Sequence, residues 1–297
     1  MRAVVTGGAG FIGSNLVDAL VGRGDEVVVV DDLSSGRREF VNPDATLLEA
    51  DMRQGIDATG AAVIFHLGAQ SDVQTSLRRP DHDAAVNVVG TVQVLEAARA
   101  AGAQVVFSST GGAIYGECDR PAPESSPLRP VSPYGIAKLC AEEYLRGWNR
   151  IHGSNHVVLR FGNVFGPRQD SSLEGGVVSI FLERFERGDE TVIFGDGLQT
   201  RDFVYVGDVV GAVLAAAGHA AGVFNVGTGE ETSVLELHRL CAKVAGVDTE
   251  PRFEPARLGD ARRSVLDVSH AAGGLGWRPQ VSLEEGLRRT WDWLTQD

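Results

Sequence analysis

Short apolar runs rich in β-branched residues recur through the first 161 residues, at Arg2–Thr6, Glu26–Val30, Thr46–Glu49, Val63–Leu67, Val105–Ser108 and Val157–Phe161. Most are separated by stretches long enough for a helix, and strands alternating with helices predict a parallel sheet. Val27-Val28-Val29-Val30 is apolar on both faces, as a strand covered by helices on both sides must be. Phe11–Arg23 and Asn87–Ala101 carry helical spacing, the second through Val88, Val92 and Leu95. The first 160 residues thus read as a doubly wound α/β unit.

Beyond Gly162 the pattern loosens into glycine, proline and charge. A helix is expected at Val177–Arg187, a strand at Thr191–Phe194, and apolar runs return around Phe203–Ala217 and Val223–Val226, which describes a smaller, interrupted second region. Ser282-Leu283-Glu284-Glu285 forms a capping box ahead of Leu287, Trp291 and Leu294. A final amphipathic helix, packed against the second region, follows.

Composition narrows the class. The chain has 297 residues, 43% of them hydrophobic, with 27 Lys+Arg against 40 Asp+Glu for a net charge of −13. That excludes a disordered chain, and the length supports a core without disulfides or a structural metal. The acidity argues against nucleic-acid or anionic-membrane binding by the protein as a whole, so an anionic substrate needs a local basic site. Cys118, Cys140 and Cys241 are odd in number and far apart, without the paired spacing of a zinc site or redox dithiol, which fits a reducing cytoplasm. The first apolar stretch breaks at glycine after three residues, too short for a signal-peptide core, and no run approaches the roughly 20 apolar residues of a membrane span.

Two motifs carry chemistry. The strand Ala3-Val4-Val5 runs into Thr6-Gly7-Gly8-Ala9-Gly10-Phe11-Ile12-Gly13 and then a helical stretch, the arrangement that a dinucleotide pyrophosphate requires. Gly7, Gly10 and Gly13 let the backbone approach the phosphates and the helix pack close to the strand. A plain βα turn would use glycine too, but the second valine-rich strand ends in Asp31, 18 residues after Gly13. There a carboxylate accepts both adenosine ribose hydroxyls and repels a 2′-phosphate, favouring NAD over NADP. Ser132-Pro133-Tyr134-Gly135-Ile136-Ala137-Lys138 then places a phenol and an ammonium four residues apart at the start of a helix, on one face. A Tyr with an ordinary pKa of about 10 is a poor base, but a neighbouring cation and a positively charged nicotinamide ring favour the phenolate, so Tyr134 can move a proton while the cofactor moves a hydride. Such a pair alone is commonly surface packing; beside the glycine loop it is chemistry.

Together with Asp31-Asp32-Leu33-Ser34-Ser35-Gly36, Asp51-Met52-Arg53, His66-Leu67-Gly68-Ala69-Gln70, the run from Ser108 to Gly116, the run from Arg160 to Arg168, Arg201-Asp202-Phe203-Val204-Tyr205-Val206 and Asn225-Val226-Gly227, these motifs resemble the extended short-chain dehydrogenases/reductases. Within them the chain is similar to the nucleotide-sugar epimerase and dehydratase branch, nearest the UDP-glucose 4-epimerases. The resemblance covers nearly the whole chain. It implies a Rossmann-type domain of residues 1–162 with about 203–227, interleaved with a nucleotide-sugar domain of about 163–202 with 228–297.

By the same resemblance, Asp31, Ser35 and Gly36 hold the adenosine ribose, Asp51 and Met52 the adenine, Leu67, Gly68, Ala69 and Asn87 the middle of NAD, and Lys138 the nicotinamide ribose. Phe11, Ile12, Asp32, Leu33, Ser108, Phe161 and Val164 complete the cofactor set. His66 reads as a satisfied structural residue closing a buried strand. Thr110 is expected to supply the hydroxyl that bonds the reacting sugar oxygen, although counting back from Tyr115 lands instead on Gly111. Dehydratases of this branch carry a carboxylate here, and Gly111-Gly112-Ala113 has none. Arg201 and Arg257 match diphosphate ligands, Asp260 bonds the uridine side or a ribose hydroxyl, Asn163 the diphosphate or sugar, and Val192 and Phe194, with Val177, surround the base. Ser264 stands where relatives restricted to plain hexoses carry a bulky Tyr, so N-acetylhexosamines are expected to fit as well as glucose and galactose. The implied reaction is inversion at C4 of a UDP-hexose through a 4-keto intermediate, in a homodimer that pairs the helices Asn87–Ala101 and Tyr134–Arg150. The alanines 97, 98, 100 and 101 fit packing within one chain equally well. Two other readings stay open: a decarboxylase, reductase or dehydratase of the same branch, and a catalytically idle NAD-binding protein, against which the intact Tyr134 and Lys138 weigh.

Overall fold

The apolar runs assemble edge to edge, the inner ones apolar on both faces and Thr46–Glu49, mostly exposed, at one edge. In the computed structural model, which describes residues 1–171, 176–256 and 261–296, they form strands β1 (Arg2–Thr6), β2 (Glu26–Asp31), β3 (Thr46–Glu49), β4 (Val63–His66), β5 (Gln104–Thr110) and β6 (Val157–Phe161), joined by β7 (Gly222–Val226). The order is β3-β2-β1-β4-β5-β6-β7, parallel throughout: a Rossmann-type sheet. Thr6 lies beside Val30 on one side and His66 on the other. The strand order therefore reverses at the end of β1, the crevice in which open α/β sheets bind ligands.

Alternate residues of each strand feed opposite cores. Val5, Val29 and Phe65 meet Leu16, Val17 and Leu20 of α1 (Phe11–Gly22). Val4, Val28 and Ile64 meet Val94, Leu95 and Ala98 of α2 (Gly90–Ala101) and Ala141 and Leu145 of α3 (Pro133–His152). Ala98 is fully buried in this core, with Ala97 and Ala101 packed on it, so these alanines serve the single chain. The expected helix at Asn87 differs in detail: a short helix, Pro80–Ala84, and a π turn, Ala85–Val89, precede α2. The wider turn re-aims Asn87.

A third core lies between α4 (Val177–Arg187), α6 (Val234–Ala245) and α7 (Leu283–Leu294), around Phe181, Leu182, Phe185, Ile193, Leu237 and Leu287. The Ser282 hydroxyl accepts from the Glu285 amide to cap α7, whose Trp291 and Leu294 pack on this core as expected. The run Phe203–Ala217 divides into a strand, Phe203–Tyr205, paired with Asn163–Phe165, and α5 (Val206–Ala216), whose Val209, Val210 and Val213 join the core of the main sheet. Short strands finish this end: Val192–Phe194 beside Arg252–Glu254, and Thr200–Arg201 between Thr232–Ser233 and Arg263–Ser264. No helix among the described residues is long and apolar enough to cross a membrane.

Candidate active site

At the crevice, β1 turns sharply into α1. Gly7 has φ +70°, and a Cβ there would stand 2.6 Å from the Gly68 nitrogen. A Cβ on Gly13 would stand 2.0 Å from the Gly7 carbonyl oxygen. The corner is thus closed to side chains and open to backbone. The N-terminus of α1 has no side-chain cap and no acidic residue in its first turn, leaving amides and dipole to an anion. From it extends a cavity of about 670 Å³, lined by Gly7, Gly10, Phe11, Ile12 and Gly13.

One arm of the cavity is lined by Asp31, Asp32, Ser35, Gly36, Asp51 and Met52. Asp31 Oδ2 accepts from the Ala9 amide at 3.0 Å and Oδ1 from the Leu33 amide at 2.9 Å. Burial raises its pKa, and these two bonds oppose the rise. Each oxygen keeps a lone pair for a ribose hydroxyl. The Arg53 guanidinium grips Asp51 at 2.6 Å and 2.9 Å and holds that carboxyl below its usual range. The other arm is lined by Leu67, Gly68, Ala69, Ser108, Phe161 and Val164, with Thr110, Tyr134 and Lys138.

Two expected cofactor residues stand outside this lining. Leu33 supplies its amide to Asp31 and sits at φ 56°, a left-handed turn. Asn87, buried on the π turn, accepts from the Gln70 amide at 3.0 Å and donates to the Gln70 carbonyl at 2.9 Å. It braces the wall from behind. Gln70, Ser34 and Arg53 do line the cavity and were missed as site residues; all three lie inside motifs already singled out.

Ser132 caps α3, its hydroxyl accepting from the Gly135 amide at 3.1 Å, with Pro133 in the first turn. A Cβ at Gly135 would meet the Ala113 carbonyl oxygen at 2.6 Å, so glycine brings the start of α3 against the turn after β5. Lys138 is 3% exposed, donates to the Ser108 carbonyl at 3.0 Å and lies 4.8 Å from the Phe107 ring centroid. Burial pulls its pKa down to about 8, against the pull of Asp83 and Glu142. The Thr110 hydroxyl accepts from the Ala113 amide at 3.1 Å, which leaves its proton to donate. A Cβ at Gly111 would instead strike the Leu266 side chain at 2.6 Å, in the core. Position 110 faces the cavity.

His66 is structural. The Thr91 hydroxyl donates to the Asn87 carbonyl, so it accepts from His66 Nε2 at 3.0 Å, and Nδ1 accepts from Thr6 at 2.8 Å. Burial, and then Lys138, depress its pKa to about 3, so the ring stays neutral. One turn beyond Lys138, Glu142 pairs with the fully buried Arg160 at 2.6 Å and accepts from the Ser109 hydroxyl at 2.6 Å. Arg160 also donates to Tyr115 Oη, which donates to Asn225. This network ties α3 to β5, β6 and β7; an arginine inside the apolar run Val157–Phe161 was its only trace in the sequence.

Of the residues expected on the substrate side, Arg201 is half-buried and its Nη1 donates to the carbonyls of Thr200 and Ala261 at 2.8 Å and 2.7 Å. Ser264, buried, pairs with it in parallel register. Asp202 follows, accepting from the amides of Thr228, Gly229 and Leu266, while its carbonyl accepts from the Asn163 amide at 2.7 Å. Val177, Val192 and Phe194 line a second cavity of about 720 Å³ together with Arg184 and Arg187. Asn163, Arg201 and Ser264 line neither cavity, and Arg257 and Asp260 lie outside the described residues.

A profile of the NAD dependent epimerase/dehydratase family matches residues 3–227. The chain belongs to that family. Its similarity to individual members runs the full length: it is 48% identical to the UDP-glucose 4-epimerase of Mycolicibacterium smegmatis over 98% of this chain and 97% of that one. Among solved structures it superposes on the UDP-glucose 4-epimerase of Thermotoga maritima with UDP-glucose at a TM-score of 0.96 and 47% identity, covering 99% of this chain and 98% of the other. It superposes on the UDP-glucose 4-epimerase of Thermus thermophilus complexed with NAD at 0.91 and 41%, with coverages of 99% and 98%. As in an NAD dependent epimerase/dehydratase, the residues present fit the cofactor: a side-chain-free corner for the pyrophosphate, an uncapped helix for its charge, and a fixed carboxylate for a ribose.

Proposed function

We propose that this chain is an NAD-dependent epimerase that inverts C4 of a UDP-hexose, interconverting UDP-glucose and UDP-galactose through a transient 4-keto sugar. The observation that carries the reading is the trio Thr110, Tyr134 and Lys138 on one arm of the dinucleotide cavity, in a chain collinear with UDP-glucose 4-epimerases and without a carboxylate at positions 111–113. NAD, when bound, supplies acceptor and donor for the C4 hydride, so no net oxidation remains.

Lys138, held by the Ser108 carbonyl, keeps a cation near Tyr134 and favours its phenolate. Tyr134 takes the proton of the sugar 4-hydroxyl and returns it after the sugar has turned, and the Thr110 hydroxyl donates to that oxygen. Arg201 and Arg257 hold the diphosphate as the pivot, with Asn163 beside the sugar, Asp260 on the uridine side and Val177, Val192 and Phe194 around the base. The two regions divide the labour: residues 1–162 with about 203–227 grip NAD, and the remainder grips the nucleotide sugar. Small, buried Ser264 beside Arg201 supports N-acetylhexosamines as further substrates. The exposed Val89, Ile136 and Tyr144 support a homodimer through the helical face. Three free thiols support a reducing cytoplasm.

The test is incubation with UDP-galactose, with and without added NAD, following the sugar anomeric proton by NMR. The 4-epimer is expected without net NADH, and Tyr134→Phe is expected to keep NAD while losing about 10²–10⁴-fold in kcat. Unchanged sugar in a protein carrying NAD, or full activity in the Phe variant, overturns the reading.

A further inference from the structure

The short helix Pro80–Ala84 and the π turn after it pack against α3. On that helix Asp83 is 1% exposed. Its Oδ1 accepts from Gln70 Nε2 at 2.7 Å and from Asn87 Nδ2 at 3.0 Å, and its Oδ2 is buried with no hydrogen-bond partner among the described residues. A buried carboxylate left in that state needs an opposite charge nearby. Four titratable groups act on or adjoin the buried Lys138: Asp83 from this helix, Glu142 and Tyr134 from its own, and the neutral His66 from β4. Glu142 is engaged by Arg160, Arg146 and Ser109. Asp83 is the carboxylate that no guanidinium among the described residues engages.

We propose that Asp83 is a positioning residue for the proton transfer at Tyr134: its buried carboxylate is the counter-ion that keeps Lys138 charged, and Gln70, which lines the cavity and donates to it, fixes it there. The role in catalysis rests on the function proposed above; the coupling of Asp83 to Lys138 does not. Burial lowers the Lys138 pKa, and of the groups that oppose this Asp83 leads. Burial likewise raises Asp83, opposed by the Gln70 bond and then by Lys138. His82 also adjoins Asp83 and is the weakest of these influences.

An opposite charge buried in the same region moves a pKa by about 1–3. Asp83→Asn retains an oxygen for Gln70 and Asn87 and removes only the charge. Lys138 then loses its proton at lower pH, so the variant is deficient where the native ammonium survives and its own does not. The loss grows toward alkaline pH, reaching on the order of tenfold if the Lys138 midpoint falls by one pH unit, and vanishes near pH 6, where both are charged.

The sequence contains two lysines, Lys138 and Lys243, and Lys243 is exposed and paired with Glu284. Lysine labelled with 13C at the ε position therefore gives two signals, which we would titrate in the NAD-loaded native protein and in Asp83→Asn. The Lys138 midpoint is expected to fall by about one pH unit or more in the variant, with Lys243 unmoved and Asp83→Glu, which keeps the charge, close to native. In turnover, kcat is expected to fall on the alkaline side only, with KM for the sugar unchanged. A Lys138 midpoint unmoved by Asp83→Asn, one moved equally by Asp83→Glu, or a loss of kcat uniform in pH overturns the proposal. A shifted midpoint in a protein that leaves UDP-galactose unchanged would instead count against the epimerase reading alone.

Discussion

On the cofactor side one uninterrupted stretch, Thr6–Gly13, shapes the cradle with its backbone, whereas the residues proposed for the substrate side, Asn163, Arg201 and Ser264, come from three separate strands of two or three residues each. The first needs only the absence of side chains at a few adjacent positions. The second needs particular side chains to arrive from distant parts of the chain, on strands held by pairings as short as that of Ser264 with Arg201 and by the Asp202 carbonyl on the Asn163 amide. Backbone-built sites are therefore rigid and intolerant of added atoms, and side-chain-built sites are graded, with each group separable from the next.

Substitutions can break that contrast. The largest effect is expected at Gly13→Ala, whose methyl would press on the Gly7 carbonyl from 2.0 Å. Overpacking of this kind destabilises by about 1–3 kcal/mol, and the protein should emerge from gel filtration without NAD absorbance and with a lowered Tm; retention of both would show a corner with room for a methyl group. Next comes Arg201→Gln, which loses the bonds to Thr200 and Ala261 and the cation proposed for the diphosphate. KM for the UDP-sugar should rise about 10–100-fold, the range of a charge-assisted hydrogen bond, with NAD content unchanged; a fall in NAD would mean that the two sides are not separable. Smallest is Ser264→Tyr, expected to reduce turnover of UDP-N-acetylgalactosamine by about tenfold while UDP-galactose changes less. Equal loss on both sugars would place Ser264 outside the sugar site.

Legibility followed the same division. All six runs read from the first 161 residues became neighbouring strands, and every glycine of the G-x-x-G-x-x-G spacing lines the cavity, because periodicity and glycine spacing are local properties. Asn87 stands behind the wall rather than in it: its helical spacing is continuous with that of α2, and nothing local announces the π turn that directs it to Gln70. The Glu142–Arg160 pair was hidden for a related reason, since its partners are 18 residues apart on a helix and a strand, and either alone reads as ordinary charge. Thr110 against Gly111 cannot be separated by counting; the fold lines the cavity with Thr110 and sets the Leu266 side chain in the space beside position 111.

The sequence by itself determined the doubly wound sheet, the dinucleotide corner, the carboxylate of Asp31 and the Tyr134–Lys138 pair, since each depends on residues within a turn or two of one another or on the repeated apolar pattern. Only the tertiary structure decided that Thr110 lines the cavity, that Asn87 stands behind its wall, and that Asp83 is buried on a short helix packed against the helix of Lys138. Those outcomes depend on which buried charge meets which, and burial is a property of the packed chain that no local spacing contains.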